Sequence, residues 1–452
     1  MPEVSEQEFN QQRLQQVNEA LSSGMFVYVR KLLQHMPAFD LALILESSTA
    51  KNRPVLWQLI DPDFHGEVLE ELNEEVRKGI LTSMPPEKLA AVAEGMDIDD
   101  LAEVLRTLPD NIYNKVLESM DSQDRSRVET ALSYEEDTAG GIMNTDTITL
   151  RPDVSVKVVL RYLRLKGNLP DATDSFYVVD RNNRFIGVVS LAAIVTAKAE
   201  AIVSCLINAE VEAVQANMDE QDVAQLFERH DWFSAPVIDE QGHLLGRITI
   251  DDVIDIIREN AEHSMMSMAG LDDEADTFAP VIKSTKQRTL WLGVNLITAL
   301  MAVAVTSMFE DVFQQLAILA VLNSLVPSMG GVAGNQTLTL VIRGMALGHV
   351  GDSNARALLS KEVAIGFLNG IIWATLIATV VAIWKQDLML GGVIAFAMLM
   401  NMTAAGLAGV SIPLILKRMK IDPALAGGVI LTTVTDVLGI FAFLGTATLF
   451  LT

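Results

Sequence analysis

A chain of 452 residues, half of them hydrophobic, is long enough for two to four domains and more apolar than most soluble enzymes. Its 58 acidic residues outnumber 33 basic ones; from Val281 onward there are ten Lys and Arg against seven Asp and Glu, which leaves 23 basic and 51 acidic residues before it, a net of −28. That field repels phosphate backbones and concentrates cations, so no nucleic-acid partner is expected and a metal ion is a plausible one, although from charge alone a self-repelling, soluble surface is the favoured reading.

The opening residues, MPEVSEQEFNQQ, are polar and acidic, unlike a secretory signal, and place the N-terminus in the cytosol. Cys205 is the only cysteine, which excludes an intrachain disulfide and a thiolate zinc cluster, and six scattered His offer no imidazole site.

Between Met36 and Met120 an apolar residue recurs every twelve positions, at Met36, Ile60, Leu72, Met84, Met96, Leu108 and Met120, with Ser48 as the break. The followers Pro37, Asp61, Asn73, Pro85, Asp97, Pro109 and Asp121 suit an N-cap or first turn, and apolar residues at helical spacing come next. A twelve-residue helical unit cannot bury its own face, so the units are expected to stack into a superhelical domain over residues 1–135; a plain helical bundle is the alternative.

Residues 136–262 hold a second repeat. Phe176-Tyr-Val-Val-Asp180 matches Ala235-Pro-Val-Ile-Asp239, and Gly187-Val-Val-Ser190 matches Gly246-Arg-Ile-Thr249, at a constant offset of 59 residues. Each copy reads strand, turn, strand, helix, and the pair resembles tandem α/β CBS modules. Such pairs often bind adenine nucleotides through a Ser or Thr followed three residues later by Asp. Thr249 and Asp252 fit, whereas Ser190 is followed by Ala193, so one ATP-type site at most is expected, with a purely structural pair as the alternative.

After a connecting helix over 263–286, residues 287–452 contain five apolar segments, near 289–308, 312–329, 362–384, 388–416 and 423–451, each able to span a bilayer as a helix. Nine Lys and Arg flank one side of these spans and Glu310, Asp311, Lys385 and Asp387 the other, so the basic side is expected in the cytosol and Thr452 outside it. Most glycines in the spans read as packing residues.

Asp436 is the one acid deep in the fifth segment, among Thr432, Thr433 and Thr435, with no basic residue in that segment. A lone intramembrane carboxylate is costly and must meet water, a cation, a proton or a hydrogen-bond partner. A carboxylate suits Mg²⁺, which keeps most of its water. The stretch Pro327-Ser-Met-Gly-Gly-Val-Ala-Gly-Asn-Gln336 is expected as irregular backbone lining a cavity at the end of the second span; Asn335 and Gln336 as interhelical hydrogen bonds are the alternative.

At these two places the chain resembles the MgtE family of magnesium channels, whose second span carries a Gly-Gly-Asn-x-Gly-x-Gln type motif and whose fifth carries Thr-x-x-Asp, and the domain order matches over nearly the whole chain. The resemblance implies a homodimer in the inner membrane enclosing one pore, with Asp436 selecting Mg²⁺ and Gly331, Asn335 and Thr432 lining the path. Val332 and Val429 depart from the common Asn and Pro of the family. It also implies regulatory Mg²⁺ on the cytosolic acids, here Asp97, Asp99, Asp100, Asp219, Asp231, Asp252, Asp255, Glu259 and Glu262, closing the channel when Mg²⁺ is high. Gln221, Asn260 and His263 stand where the family commonly has acids. A proton-coupled metal carrier and a non-transporting membrane sensor are the alternatives. No nucleophile, acid/base pair or phosphate loop points to an enzyme.

Overall fold

The computed structural model describes residues 6–451 apart from 94, 95, 97, 109, 121, 171, 272–275, 316 and 352. The chain forms two compact units. One is built from residues up to Ala261 with the stretch ending at Pro280, the other from the segment beginning at Glu262 with Val281 onward.

Among the described residues the first unit opens with ten α-helices: α1 (Glu6–Ser22), α2 (Phe26–Leu33), α3 (Ala38–Glu46), α4 (Arg53–Leu59), α5 (His65–Glu70), α6 (Glu74–Ser83), α7 (Pro86–Ala93), α8 (Ile98–Arg106), α9 (Asp110–Ser119) and α10 (Ser122–Leu132). Most are too short to be stable alone. They are held by stacking on every second neighbour, α3 on α5 on α7 on α9, with α2 on α4 on α6 and α8 on α10.

The twelve-residue anchors face inward. Met36, Ile60, Leu72, Met84 and Met96 are buried in one core that runs from Val17 to Val128, and Leu108 and Met120 pack against it. Asn73 caps α6 by accepting the Val76 N–H at 3.0 Å, as its place after an anchor predicts. Ser48, the break in the series, is buried all the same; its hydroxyl donates to the Ile44 carbonyl at 2.7 Å, so the helix supplies its own partner. Arg53 is also buried and fully engaged, donating to the Leu45 and Glu46 carbonyls at 3.0 Å each and to both carboxylate oxygens of Asp276 at 2.5 and 2.8 Å.

Two three-stranded sheets follow, β1 (Thr149–Leu150), β2 (Ser175–Val179) and β3 (Phe185–Ser190), then β4 (Val214–Gln215), β5 (Ser234–Ile238) and β6 (Leu244–Thr249). In each the first pair is parallel and the second antiparallel, with Ser175 opposite Ser190 as Ser234 is opposite Thr249, and a bulge at the same place. The predicted turns are equivalent: Asp180 Oδ1 accepts the Asn182 and Arg184 N–H groups, and Asp239 Oδ1 those of Gln241 and His243. Gly187 and Gly246 recur because a Cβ at either would lie 2.6 Å from the carbonyl oxygen of Asn208 or Asn144, on segments that pair with β3 and β6. The helices are α11 (Val156–Lys166), α12 (Leu191–Thr196), α13 (Glu220–His230) and α14 (Ile250–Met268).

The second unit holds α15 (Val281–Ser307), α16 (Glu310–Gln315), α17 (Ile318–Leu322), α18 (Leu325–Ala346), α19 (Ala355–Lys385), α20 (Leu388–Arg418) and α21 (Pro423–Leu451). Among the described residues five spans are long and apolar enough to cross a membrane, 281–307, 318–346, 355–385, 388–418 and 423–451. Helix α20 is central, packed against α18, α19 and α21. Gly366 and Gly406 make the α19–α20 contact reciprocal, since a Cβ on either would lie 2.6 Å from a carbonyl oxygen of the other helix, of Met402 and Glu362 respectively. This is small-residue packing where lipid leaves little hydrophobic drive between helices.

Three expectations need correction. The second span is 318–346 rather than 312–329, and the Pro327–Gln336 stretch is continuous helix within α18, not irregular backbone. Pro327 is the third residue of α18, in the first turn, where a missing N–H breaks no intrahelical bond. Its glycines face neighbouring helices. Residues 263–286 are not one connecting helix: α14 ends at Met268 and α15 begins at Val281.

Candidate functional site

Helices α18 and α21 run antiparallel along a seam of small residues. A Cβ on Gly439 would lie 3.2 Å from Pro327 Cα, one on Gly331 would lie 3.8 Å from Thr435 Oγ1, one on Gly334 3.0 Å from Leu431, and one on Gly427 3.1 Å from Leu338. Numbers rise on one helix as they fall on the other. The polar residues flank this seam. Thr432 and Asp436, one turn apart on α21, stand one position past the buried Leu431 and Thr435, and Asn335 stands one position past the buried Gly334.

Asn335 and Thr432 are exposed and Asp436 is half-buried. The threonine hydroxyls are satisfied within the helix, Thr432 donating to the Gly428 carbonyl and Thr433 to that of Val429, both at 2.8 Å. Among the described residues no hydrogen bond or ion pair reaches the Asp436 carboxylate. The structure thus brings Gly331 against Thr435 and leaves Asn335, Thr432 and Asp436 on uncovered surface beside the seam. Exposed amide and carboxylate groups on spanning helices require water, an ion or a protein partner.

The other predicted acids lie mostly in the first unit, at the starts of α8, α13 and α14. Asp97 lies outside the described residues. Asp99 accepts from Asn144 Nδ2 at 3.2 Å, and Asp100 follows it in the first turn of α8. Asp219 caps α13 by accepting the Gln221 N–H at 2.9 Å. Asp231 ends α13 in the left-handed conformation at φ 51°, away from the start of the helix.

Asp252 satisfies Thr249. Its Oδ2 accepts both the Thr249 N–H at 2.8 Å and the Thr249 hydroxyl at 2.9 Å, so the carboxylate reaches back to the residue that precedes α14. Ser190 accepts the Ala193 N–H at 3.1 Å in the first repeat, with no carboxylate to answer it. The Thr-x-x-Asp spacing therefore has a sufficient local cause without nucleotide.

Farther along α14, Asp255 and Glu259 share the electrostatic surroundings of acids from other elements. Burial and then Glu103, Asp255 and Glu220 push Glu259 up to about 7. Burial, Asp137 and Asp219 push Glu220 up to about 7. Burial raises Asp255 against the opposing Arg258, and burial followed by Asp255 raises Glu71. Asp252 is also pushed up to about 7, by burial, against the lowering effect of Thr249. Glu71, Glu103, Asp137 and Glu220 belong to this acid cluster without having been singled out from sequence; Glu220 adjoins Asp219, but nothing local marks the others. Glu262 is exposed and falls in the second unit.

Of the residues in place of family acids, Gln221 and Asn260 pair with each other and His263 faces an acid. Gln221 Nε2 donates to Asn260 Oδ1 at 2.8 Å, and His263 Nε2 stands 3.3 Å from Asp422 Oδ2, while that carboxylate also caps α21 through Ala424 and Leu425. Among the described residues no three His, Cys, Asp or Glu side chains are arranged to hold a metal ion. Like charges brought together without a counter-ion hold their protons and stand apart, in keeping with the raised carboxyls.

The MgtE pattern, described as a divalent cation transporter, matches residues 323–446; that of the MgtE intracellular N domain matches 36–137, and CBS domains match 139–200 and 203–259. The magnesium transporter MgtE of Thermus thermophilus is 30% identical over 442 residues, 96% of this chain and 98% of the relative. That of Bacillus subtilis is 28% identical over 433 residues, 95% of this chain and 96% of its own. A crystal structure of the cytosolic domain of the Mg²⁺ channel MgtE in complex with ATP is 32% identical, covering 53% of this chain and 98% of its own at a TM-score of 0.49. With matches over its N-terminal helices, its CBS repeat and its spans, this chain is a multi-pass membrane protein that belongs to the MgtE family of magnesium transporters.

Proposed function

We propose that the chain is a Mg²⁺-selective channel of the cytoplasmic membrane, closed by Mg²⁺ binding to its acidic cytosolic unit. The observation that carries the first part is Asp436, a half-buried carboxylate in an apolar helix with no hydrogen bond or ion pair among the described residues. A hard oxygen donor beside the exposed Thr432 and Asn335 suits an ion that keeps several waters and is held loosely enough to leave. Gly331, packed against Thr435, leaves room beside that path. One protomer leaves this surface open, so the working form is a homodimer in which two copies of α18 and α21 enclose the ion. The N-terminus lies in the cytosol and the C-terminus outside, with the basic loops inside.

Closure rests on the acid cluster. Without Mg²⁺ the carboxylates of Asp99, Asp100, Asp219, Asp231, Asp252, Asp255, Glu259 and Glu262 repel; divalent ions bridging them favour a compact, closed arrangement. The test is Mg²⁺ flux into proteoliposomes carrying the intact chain or Asp436→Ala, with Mg²⁺ titrated on the face bearing the first unit. Loss of flux in the variant, and inhibition in the intact chain that disappears when residues 1–261 are removed, is the expected result. Equal flux in both would displace the pore from α21, and inhibition that survives the truncation would overturn the gating.

A further inference from the structure

Helix α20 carries one amide and no acid in 31 residues, and that amide, Asn401, is 1% exposed. Its Nδ2 donates to the Val326 carbonyl of α18 at 2.8 Å. The side chain sits in a notch that exists only because two other helices have glycine there: a Cβ on Gly330 of α18 would lie 2.1 Å from Nδ2, and one on Gly439 of α21 would lie 2.8 Å from it. Both glycines adjoin the ion path, Gly330 preceding Gly331 and Gly439 standing three residues, about 4.5 Å of helix rise, beyond Asp436. A single buried side chain thus touches both helices of the path, from behind, at the level of the carboxylate.

We propose that Asn401 is the positioning residue of the ion path: its amide, wedged between Gly330 and Gly439 and bonded to Val326, sets the separation of α18 and α21 beside Asp436 and through it the choice among divalent ions. This rests on the reading that Asp436 holds the permeating ion. The geometry has a physical logic. Spanning helices in lipid have little hydrophobic drive to hold one distance, and an amide with a directional bond in a glycine notch supplies one. Asn401 Oδ1 has no hydrogen-bond partner among the described residues. A polar side chain stands where an apolar one would fill the space without leaving an acceptor unmet.

The experiment measures Mg²⁺ and Ca²⁺ flux separately in proteoliposomes of the full chain, with the amount of inserted protein measured for each variant. Asn401→Ala and Asn401→Ser are expected to keep Mg²⁺ flux while Mg²⁺ over Ca²⁺ discrimination falls by roughly tenfold, since a shift of about 1 Å at a positioned site costs that much or more. Gly330→Ala, which drives a methyl into the amide, should lose flux, and Gly330→Ala with Asn401→Ala should regain it. A purely structural role lowers inserted protein and leaves the ion preference of what remains unchanged. Discrimination at the wild-type value in Asn401→Ala overturns the proposal; if that variant fails to insert, the same result in Asn401→Ser does so. Should Asp436→Ala keep full flux, the underlying reading fails, whereas loss of flux there with unaltered selectivity in the Asn401 variants sinks only the positioning role.

Discussion

In the first unit carboxylates act in company: burial and the charges of neighbouring acids, Glu103 and Asp137 among them, raise the hold of Glu71, Glu220, Asp255 and Glu259 on their protons, although these acids come from elements far apart in sequence. In the second unit Asp436 stands alone on a helix without another acid, its neighbours threonines whose hydroxyls already bond their own backbone. A crowd of half-exposed acids responds gradually to ions and protons, and no member is indispensable. A solitary intramembrane acid is all or nothing. A sensor needs the first kind of chemistry and a selectivity site the second.

The contrast is most easily broken at its solitary end. Asp436→Asn keeps the side-chain shape and removes the charge, and Mg²⁺ flux in proteoliposomes should fall by at least about a hundredfold, the scale of losing a dedicated charge-stabilising group. Flux within a few fold of wild type would show that the solitary acid is not the ion ligand.

Next in size is the response of the crowded end to pH. Glu220 and Glu259 are raised from 4.5 to about 7 and Asp252 from 3.8 to about 7, so the folded unit keeps protons that the unfolded chain has lost. Its stability therefore falls as pH rises from about 4 to about 7 and levels off above that. His65, lowered by burial, works the other way up to about 6.5. Asp180 and Asp239 are lowered and act only at more acidic pH. Melting of the detergent-solubilised chain should show the first unit losing about 4 °C between pH 5.5 and 8, with Mg²⁺ restoring more at pH 8 than at pH 5.5. A Mg²⁺ effect equal at both pH values would uncouple the acids from the ion.

Smaller still is the effect of any one member. Asp255→Asn should raise the Mg²⁺ concentration for half-inhibition of flux by roughly threefold, because neighbours take up its share of a partly screened interaction; abolished inhibition would make Asp255 as solitary as Asp436. Gln221→Glu adds a carboxylate beside Asn260 and near Glu220 and should lower the same concentration by about twofold, the scale of one exposed pair. A shift in the opposite direction would mean that the Gln221–Asn260 hydrogen bond itself holds the closed arrangement.

How much of this was legible in the chain depended on whether the signal was local. The twelve-residue anchors, the 59-residue offset and the apolar segments are one-dimensional patterns, and the buried methionines, the matched register of both sheets and five spanning helices follow from them. Asp436 was visible because a charge in an apolar run contrasts with its immediate neighbours. The stretch from Pro327 to Gln336 misled for the complementary reason. Proline and glycine break helices in water, but here Pro327 sits in a first turn and Gly330, Gly334 and their neighbours admit side chains from α20 and α21, so the same residues build a helix contact. The partners of Glu259 and the notch around Asn401 join residues tens to more than a hundred positions apart, and nothing in one sequence brings those together.

The stacking of every second helix in the first unit gives its twelve-residue spacing a parity. Removing residues 61–72 takes out α5 alone and carries α6 into its place, so each later helix would present to one row the face shaped for the other. Removing residues 61–84 takes out α5 and α6 and lets α7 take the seat of α5 with the alternation intact. Lengthening or shortening of such an array is therefore tolerated in even steps of twenty-four residues and punished in odd steps of twelve, a counting rule that constrains which lengths of this domain can fold.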